Sequence, residues 1–103
     1  MDKIAGLREI LAMDPGNAFA RYGLALEYVN QGEVETGLAE FDALIAAHPD
    51  YVPAYQMAAQ TLAKVERVPA AIAMLKRGIT TSQKAGNSKA LSEMQGMLDE
   101  LDR

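Results

Sequence analysis

Apolar positions recur along this chain at helical spacing, broken at regular intervals by proline and glycine. Ile4, Leu7, Ile10, Leu11 and Met13 form one stripe, and Asp14-Pro15-Gly16-Asn17 ends it. Pro15 disfavours helical geometry in the residue before it, and Asn17 suits the N-cap of a new helix. From Ala18 to Asn30 the apolar set widens to Phe19, Tyr22, Leu24, Leu26, Tyr28 and Val29. That breadth predicts a helix touching neighbours on more than one side. Gly32 supplies the left-handed geometry that closes it. A further helix over 34–47 carries Leu38, Phe41, Leu44 and Ile45 inward, and His48-Pro49-Asp50 stops it.

The same order of signals then returns. Val52-Pro53 opens a helix with Tyr55, Met57, Ala58, Ala59 and Leu62 on its inner face, extending to about Lys64. Val68-Pro69 opens the next, with Ile72, Leu75 and Ile79 inward. Proline is tolerated in a first helical turn, so both placements are consistent. Ala25 with Gly37, and Ala71 with Gly78, are small residues placed where paired helices approach closely. The second copy departs from the first at two points. Glu66 stands at the register of Gly32, and Gln83 at that of Pro49, so the fifth helix is expected to continue through Ser82 or Lys84. Gly86 and Asn87 supply the next break. A last helix over 88–101 then presents Leu91, Met94, Leu98 and Leu101 on one side and Lys89, Glu93, Gln95, Asp99 and Glu100 on the other.

The unit that recurs is 34 residues long, and helix pairs of that period stack into solenoids. The predicted organisation is one domain over 1–103: a half unit (1–17), two complete units (18–51 and 52–85) and a capping helix (86–103).

The chain resembles the tetratricopeptide repeat family. In the central copy Leu24, Ala25, Tyr28, Gly32, Gly37, Phe41 and Pro49 hold the family's spacing; the next copy keeps Tyr55, Ala59, Leu62, Ala71 and Leu75. Arg21 departs from the family's frequent tryptophan. The resemblance implies an all-α, right-handed superhelix of antiparallel helix pairs, about six helices in all. It also implies a concave groove, lined by the first helix of each pair, that holds a peptide or an amphipathic helix. The corresponding positions are Phe19, Tyr22, Leu26, Val29 and Asn30 in the first complete copy, and Gln56, Gln60 and Lys64 in the second. The family's carboxylate-gripping groove uses lysine and asparagine. Here Tyr22 and Leu26 stand at the first pair of those positions and Met57 at a further one, so capture of a chaperone tail in that manner is not expected.

Composition narrows the function further. Half of the 103 residues are hydrophobic, enough for a packed core. A net charge of −4 argues against nucleic acid as a partner, because phosphate binding needs a concentrated basic face. Residues 1–50 hold nine acidic and three basic side chains, whereas 51–103 hold five and seven. No apolar run approaches the roughly 20 residues of a membrane span, and a cytoplasmic protein is expected. The absence of cysteine removes disulfides, thiolate zinc sites and cysteine nucleophiles. His48, the single histidine, precedes a turn proline, and no glycine-rich phosphate loop is present. Glu33, Glu35, Glu40 and Asp42 read as a solvated outer face rather than a cation site. No catalytic residue, metal or cofactor is therefore expected. The partner expected is another protein. The alternative is a structural, homodimeric protein assembled through the exposed edge of the leading half unit.

Overall fold

The computed structural model describes residues 2–103. It contains six helices: α1 (Lys3–Met13), α2 (Ala18–Asn30), α3 (Val34–Ala47), α4 (Val52–Lys64), α5 (Val68–Ala85) and α6 (Ser88–Leu101). No strand occurs among the described residues. The chain forms two compact units, Met1–His48 with α1 to α3 and Pro49–Arg103 with α4 to α6.

Side-chain caps set three of the helix starts. Asp2 accepts from the Ala5 amide at 2.8 Å, Asn17 from Ala20 at 2.9 Å and Asn87 from Ala90 at 3.1 Å. Each satisfies a backbone donor that the first helical turn leaves unpaired. Helices α4 and α5 begin without such a cap and have proline in the first turn instead.

Three helices end in the same way. After α2, Gly32 has φ +85°, its amide donates to Val29 O, and the Glu33 amide reaches back to Tyr28 O at 2.9 Å. After α5, Gly86 has φ +69° and the Asn87 amide donates to Ser82 O at 2.9 Å. After α4 the same pair of bonds forms around Glu66, whose φ is +63°. A side chain in that conformation carries a steric cost of about 1–2 kcal/mol that glycine avoids, partly offset by glycine's greater freedom when unfolded. Glu66→Gly is therefore expected to stabilise the protein by about 0.5–1 kcal/mol, read as a higher denaturation midpoint. A lower midpoint would contradict this.

With Gln83 in place of a proline, α5 runs to 18 residues where α3 has 14. His48, at the end of α3, donates its amide to Leu44 O and has a turn role.

In the first unit, Leu11 of α1 packs with Ala20, Leu24 and Tyr28 of α2, and Ile4 and Leu7 lie against that cluster. Helix α3 adds Phe41, Leu44 and Ile45, all buried. The α2–α3 seam is tight: a Cβ on Gly37 would sit 2.5 Å from Val29 Cγ2 and 3.0 Å from Ala25 O. Arg21 and Glu40 pair across it at 2.8 Å, and Arg8 of α1 donates to the Tyr28 hydroxyl and lies over its ring.

In the second unit the core comes from Val52, Tyr55, Ala58, Ala59 and Leu62 of α4, Ala71, Met74 and Leu75 of α5, and Ala90 and Met94 of α6. The three helices converge at Gly78, where a Cβ would lie 2.6 Å from Met94 Sδ and 2.8 Å from Tyr55 Cβ. Met74 and Met94 thus fill the core. Ile72 and Ile79 are only half-buried, as are Leu91, Leu98 and Leu101 of the last helix. Thr61 is buried too, its hydroxyl donating to Met57 O at 2.8 Å.

Candidate partner-binding faces

Helix α2 is held on two sides. Ala20 and Leu24 turn toward α1, and Ala25 toward α3, which leaves a third face for Phe19, Tyr22 and Leu26 at i, i+3 and i+7. Phe19 is 77% exposed, a large apolar side chain to leave in water. Tyr22 and Leu26 are half-buried. The Tyr22 ring meets Phe41 edge-on, with centroids 6.2 Å apart, so the face rests directly on the core. Asn30 is exposed at the end of the helix. Val29 is half-buried and its Cγ2 lies against Gly37, so this side chain packs the α2–α3 seam.

In the second unit Gln56, Gln60 and Lys64 follow one another at i, i+4 and i+8 along α4 and share one stripe. Gln60 and Lys64 are exposed. Gln56 is half-buried, and its amide nitrogen reaches Glu93 Oε1 of α6 at 3.4 Å, a long bond that a better acceptor would displace.

One further feature of that unit had only an indirect signal in the sequence. The added length of α5 carries Thr81, Lys84 and Ala85 past Pro49, Asp50 and Tyr55, leaving an open cleft of about 550 Å³ between them. Tyr55 donates its hydroxyl to Pro49 O at 2.6 Å, and Arg77 stands 5.5 Å from the centre of its ring. The missing proline at residue 83 was that signal. Burial pushes the Tyr51 phenol above its ordinary pKa.

Among the described residues, no group of three or more histidine, cysteine or acidic side chains is placed to hold a metal ion, and no helix is long and apolar enough to cross a membrane. Among the described residues, the large apolar side chains that stay exposed are Phe19, Ile10 and Met13 of the first unit and Val65 of the second.

Comparison with known proteins agrees with this architecture. A TPR repeat-containing protein of Pseudomonas aeruginosa is 26% identical over 100 residues, spanning 97% of this chain and 95% of that protein. The solution structure of a tetratricopeptide repeat domain protein from Salinibacter ruber is 32% identical, with a TM-score of 0.81 over 85% of this chain and 89% of the other. The TPR2B domain of yeast Sti1, solved in complex with pHsp70, shares the fold at 17% identity, with a TM-score of 0.88 over 96% of this chain and 79% of its own. The tetratricopeptide repeat family model matches residues 4–62, more than half of the sequence, and the chain belongs to that family.

Proposed function

We propose that this chain is a non-catalytic cytoplasmic module that binds a peptide or an amphipathic helix of another protein, with Phe19, Tyr22 and Leu26 of α2 as apolar anchors. The exposure of Phe19 carries this reading. The aromatic ring contributes little to its own unit's core, and a large ring left 77% in water gains most when a partner covers it. Repeats of this family generally serve as protein-interaction modules. On α4, Gln60 and Lys64 are proposed as polar contacts, Gln56 joining them once released from Glu93. Val29 is proposed as a support for the α2 face, through its packing on Gly37, and Asn30 as a hydrogen-bonding group at its end.

Affinity capture from the native host identifies the partner, and two variants test the face. Phe19→Ser is expected to weaken capture at least about ten-fold, the loss of one well-buried aromatic anchor, while leaving the thermal midpoint within a degree or two. The pair Tyr22→Ala with Leu26→Ala is expected to abolish capture. Full capture by a folded Phe19→Ser protein would remove α2 from the binding site.

A second reading, self-association through the edge of α1, is favoured by the exposure of Ile10 (45%) and Met13 (89%) on that helix. Sedimentation over a range of concentrations and salt tests it, and a strict monomer at high concentration would end it.

A further inference from the structure

We infer that the outer face of α5 is a docking surface for an acidic segment of another protein, a site separate from the α2 face. Between Glu66 and Glu93 the sequence holds no acidic residue and five basic ones, Arg67, Lys76, Arg77, Lys84 and Lys89, in a chain whose net charge is −4. Helix α5 packs on α4 and α6, which meet it at Gly78 through Tyr55 and Met94. At about 100° per residue, Lys76, Arg77, Thr80 and Lys84 fall within roughly 100° of arc on the opposite side of the helix. All four are exposed. This charge is not a property of the repeat: one 34-residue unit earlier, the positions of Lys76 and Lys84 are Asp42 and Asp50. Helix α3, the counterpart of α5, carries acids and no base, whereas α5 carries bases and no acid.

Charge and geometry give the occupant. Neither Lys76 nor Lys84 forms an ion pair among the described residues. Arg77 lies over the Tyr55 ring with a guanidinium nitrogen 4.0 Å from Met74 Sδ, which holds the group in place without neutralising it. The Thr80 and Thr81 hydroxyls donate to the carbonyls of Lys76 and Arg77, so the cations are the donors this face offers. Three like charges on one face repel, and carboxylates laid across them relieve that repulsion. Arg77 and Lys84 are two turns apart, about 10 Å along the axis. A fitting segment has carboxylates at that spacing, about three residues apart in polyproline II chain or seven in a helix. Lys84 also borders the cleft of about 550 Å³, where Pro49, Tyr55 and Ala85 suit an apolar side chain next to such a carboxylate. Asp50, on the opposite wall, is the one acid lining that cleft, and it repels a carboxylate placed deeper. Nucleic acid fits less well: α5 has no aromatic ring on which a base could stack, and a few cations in a chain of net charge −4 neutralise few phosphates.

Fluorescence anisotropy with the full chain tests this. The probe is a fluorescein-labelled nine-residue peptide, Glu-Leu-Pro repeated, set beside its Gln-Leu-Pro counterpart and a single-stranded oligonucleotide of equal charge. Saturable binding of the acidic peptide is expected, weaker at high salt and absent for the glutamine peptide. Lys76→Glu and Lys84→Glu, at exposed sites with no ion pair to lose, are each expected to weaken it at least about five-fold with the circular dichroism spectrum unchanged. Asp50→Asn is expected to tighten it about two-fold by removing the opposing charge. Phe19→Ser is expected to leave it unaltered, which separates this site from the α2 face. Acidic-peptide binding that survives both charge reversals, an oligonucleotide that binds more tightly than the peptide, or no binding at low salt would each overturn the α5 site while leaving the α2 reading standing. Loss of peptide binding in Phe19→Ser alone would overturn it in favour of α2.

Discussion

Gly37→Phe is expected to destabilise the protein by about 3 kcal/mol or more. The cause is geometric. The first atom of any side chain at residue 37 meets Val29 Cγ2 at 2.5 Å and the Ala25 carbonyl oxygen at 3.0 Å. The valine methyl can move only by changing a stiff rotamer, and the carbonyl is fixed by its own helix. Alanine would gain up to about 1 kcal/mol in helix propensity, against one overlapping methyl. Phenylalanine adds a ring with no space beside it, so α2 and α3 separate and expose Leu44 and Phe41. Overpacking of this kind commonly costs 1–3 kcal/mol and more when backbone must shift. Chemical denaturation followed by circular dichroism measures it, and a midpoint close to wild type would show that the seam is looser than its geometry.

Phe41→Ala acts in the opposite direction, by emptying the same region, and is expected to cost about 3–5 kcal/mol. Phe41 is 0% exposed and among the largest fully buried side chains. Its ring also supports Tyr22 from below at 6.2 Å, so the cavity opens directly under the proposed binding face. Thermal unfolding should show the loss, and a Phe41→Leu variant, which retains much of the volume, should recover a large part of it. A loss under about 1 kcal/mol would mean that neighbouring side chains close over the site.

How much of this was legible in the sequence varied with the kind of signal. Apolar periodicity and the proline and glycine breaks marked all six helices, and Gly86, Asn17 and Asn87 announced the caps they form. Small residues at 25, 37 and 78 announced close approach, because a seam that tight tolerates nothing else. Glu66 gave no such notice: only its register, shared with Gly32, pointed to a left-handed residue, since glutamate is not selected for that geometry. Met94 falls on the apolar side of the last helix in the linear pattern, but how deeply it is buried does not show there. Methionine serves cores and adaptable surfaces alike, and the leucines flanking it on α6 are half-buried while it is wholly buried.

The candidate faces were legible in part. Phe19 is a groove position by the family resemblance and stands exposed in the structure. Val29 is ambiguous in a linear pattern, because a helix with neighbours on two sides has positions that belong to both a seam and a face. The bond from Gln56 to Glu93 joins residues 37 apart in sequence and leaves no periodic trace. Partner identity is absent for a physical reason: a few side chains set specificity on a scaffold of this type, and the residues describe the shape of a ligand rather than its name.

The most direct test of the binding face is an amide chemical-shift map of the isotopically labelled chain titrated with its captured partner segment. Shifts concentrated on Phe19, Tyr22, Leu26 and Asn30 are predicted, and they should vanish at these positions for Phe19→Ser. Shifts confined to the outer residues of α3, such as Glu35, Ala39 and Asp42, with α2 unmoved, would contradict the account.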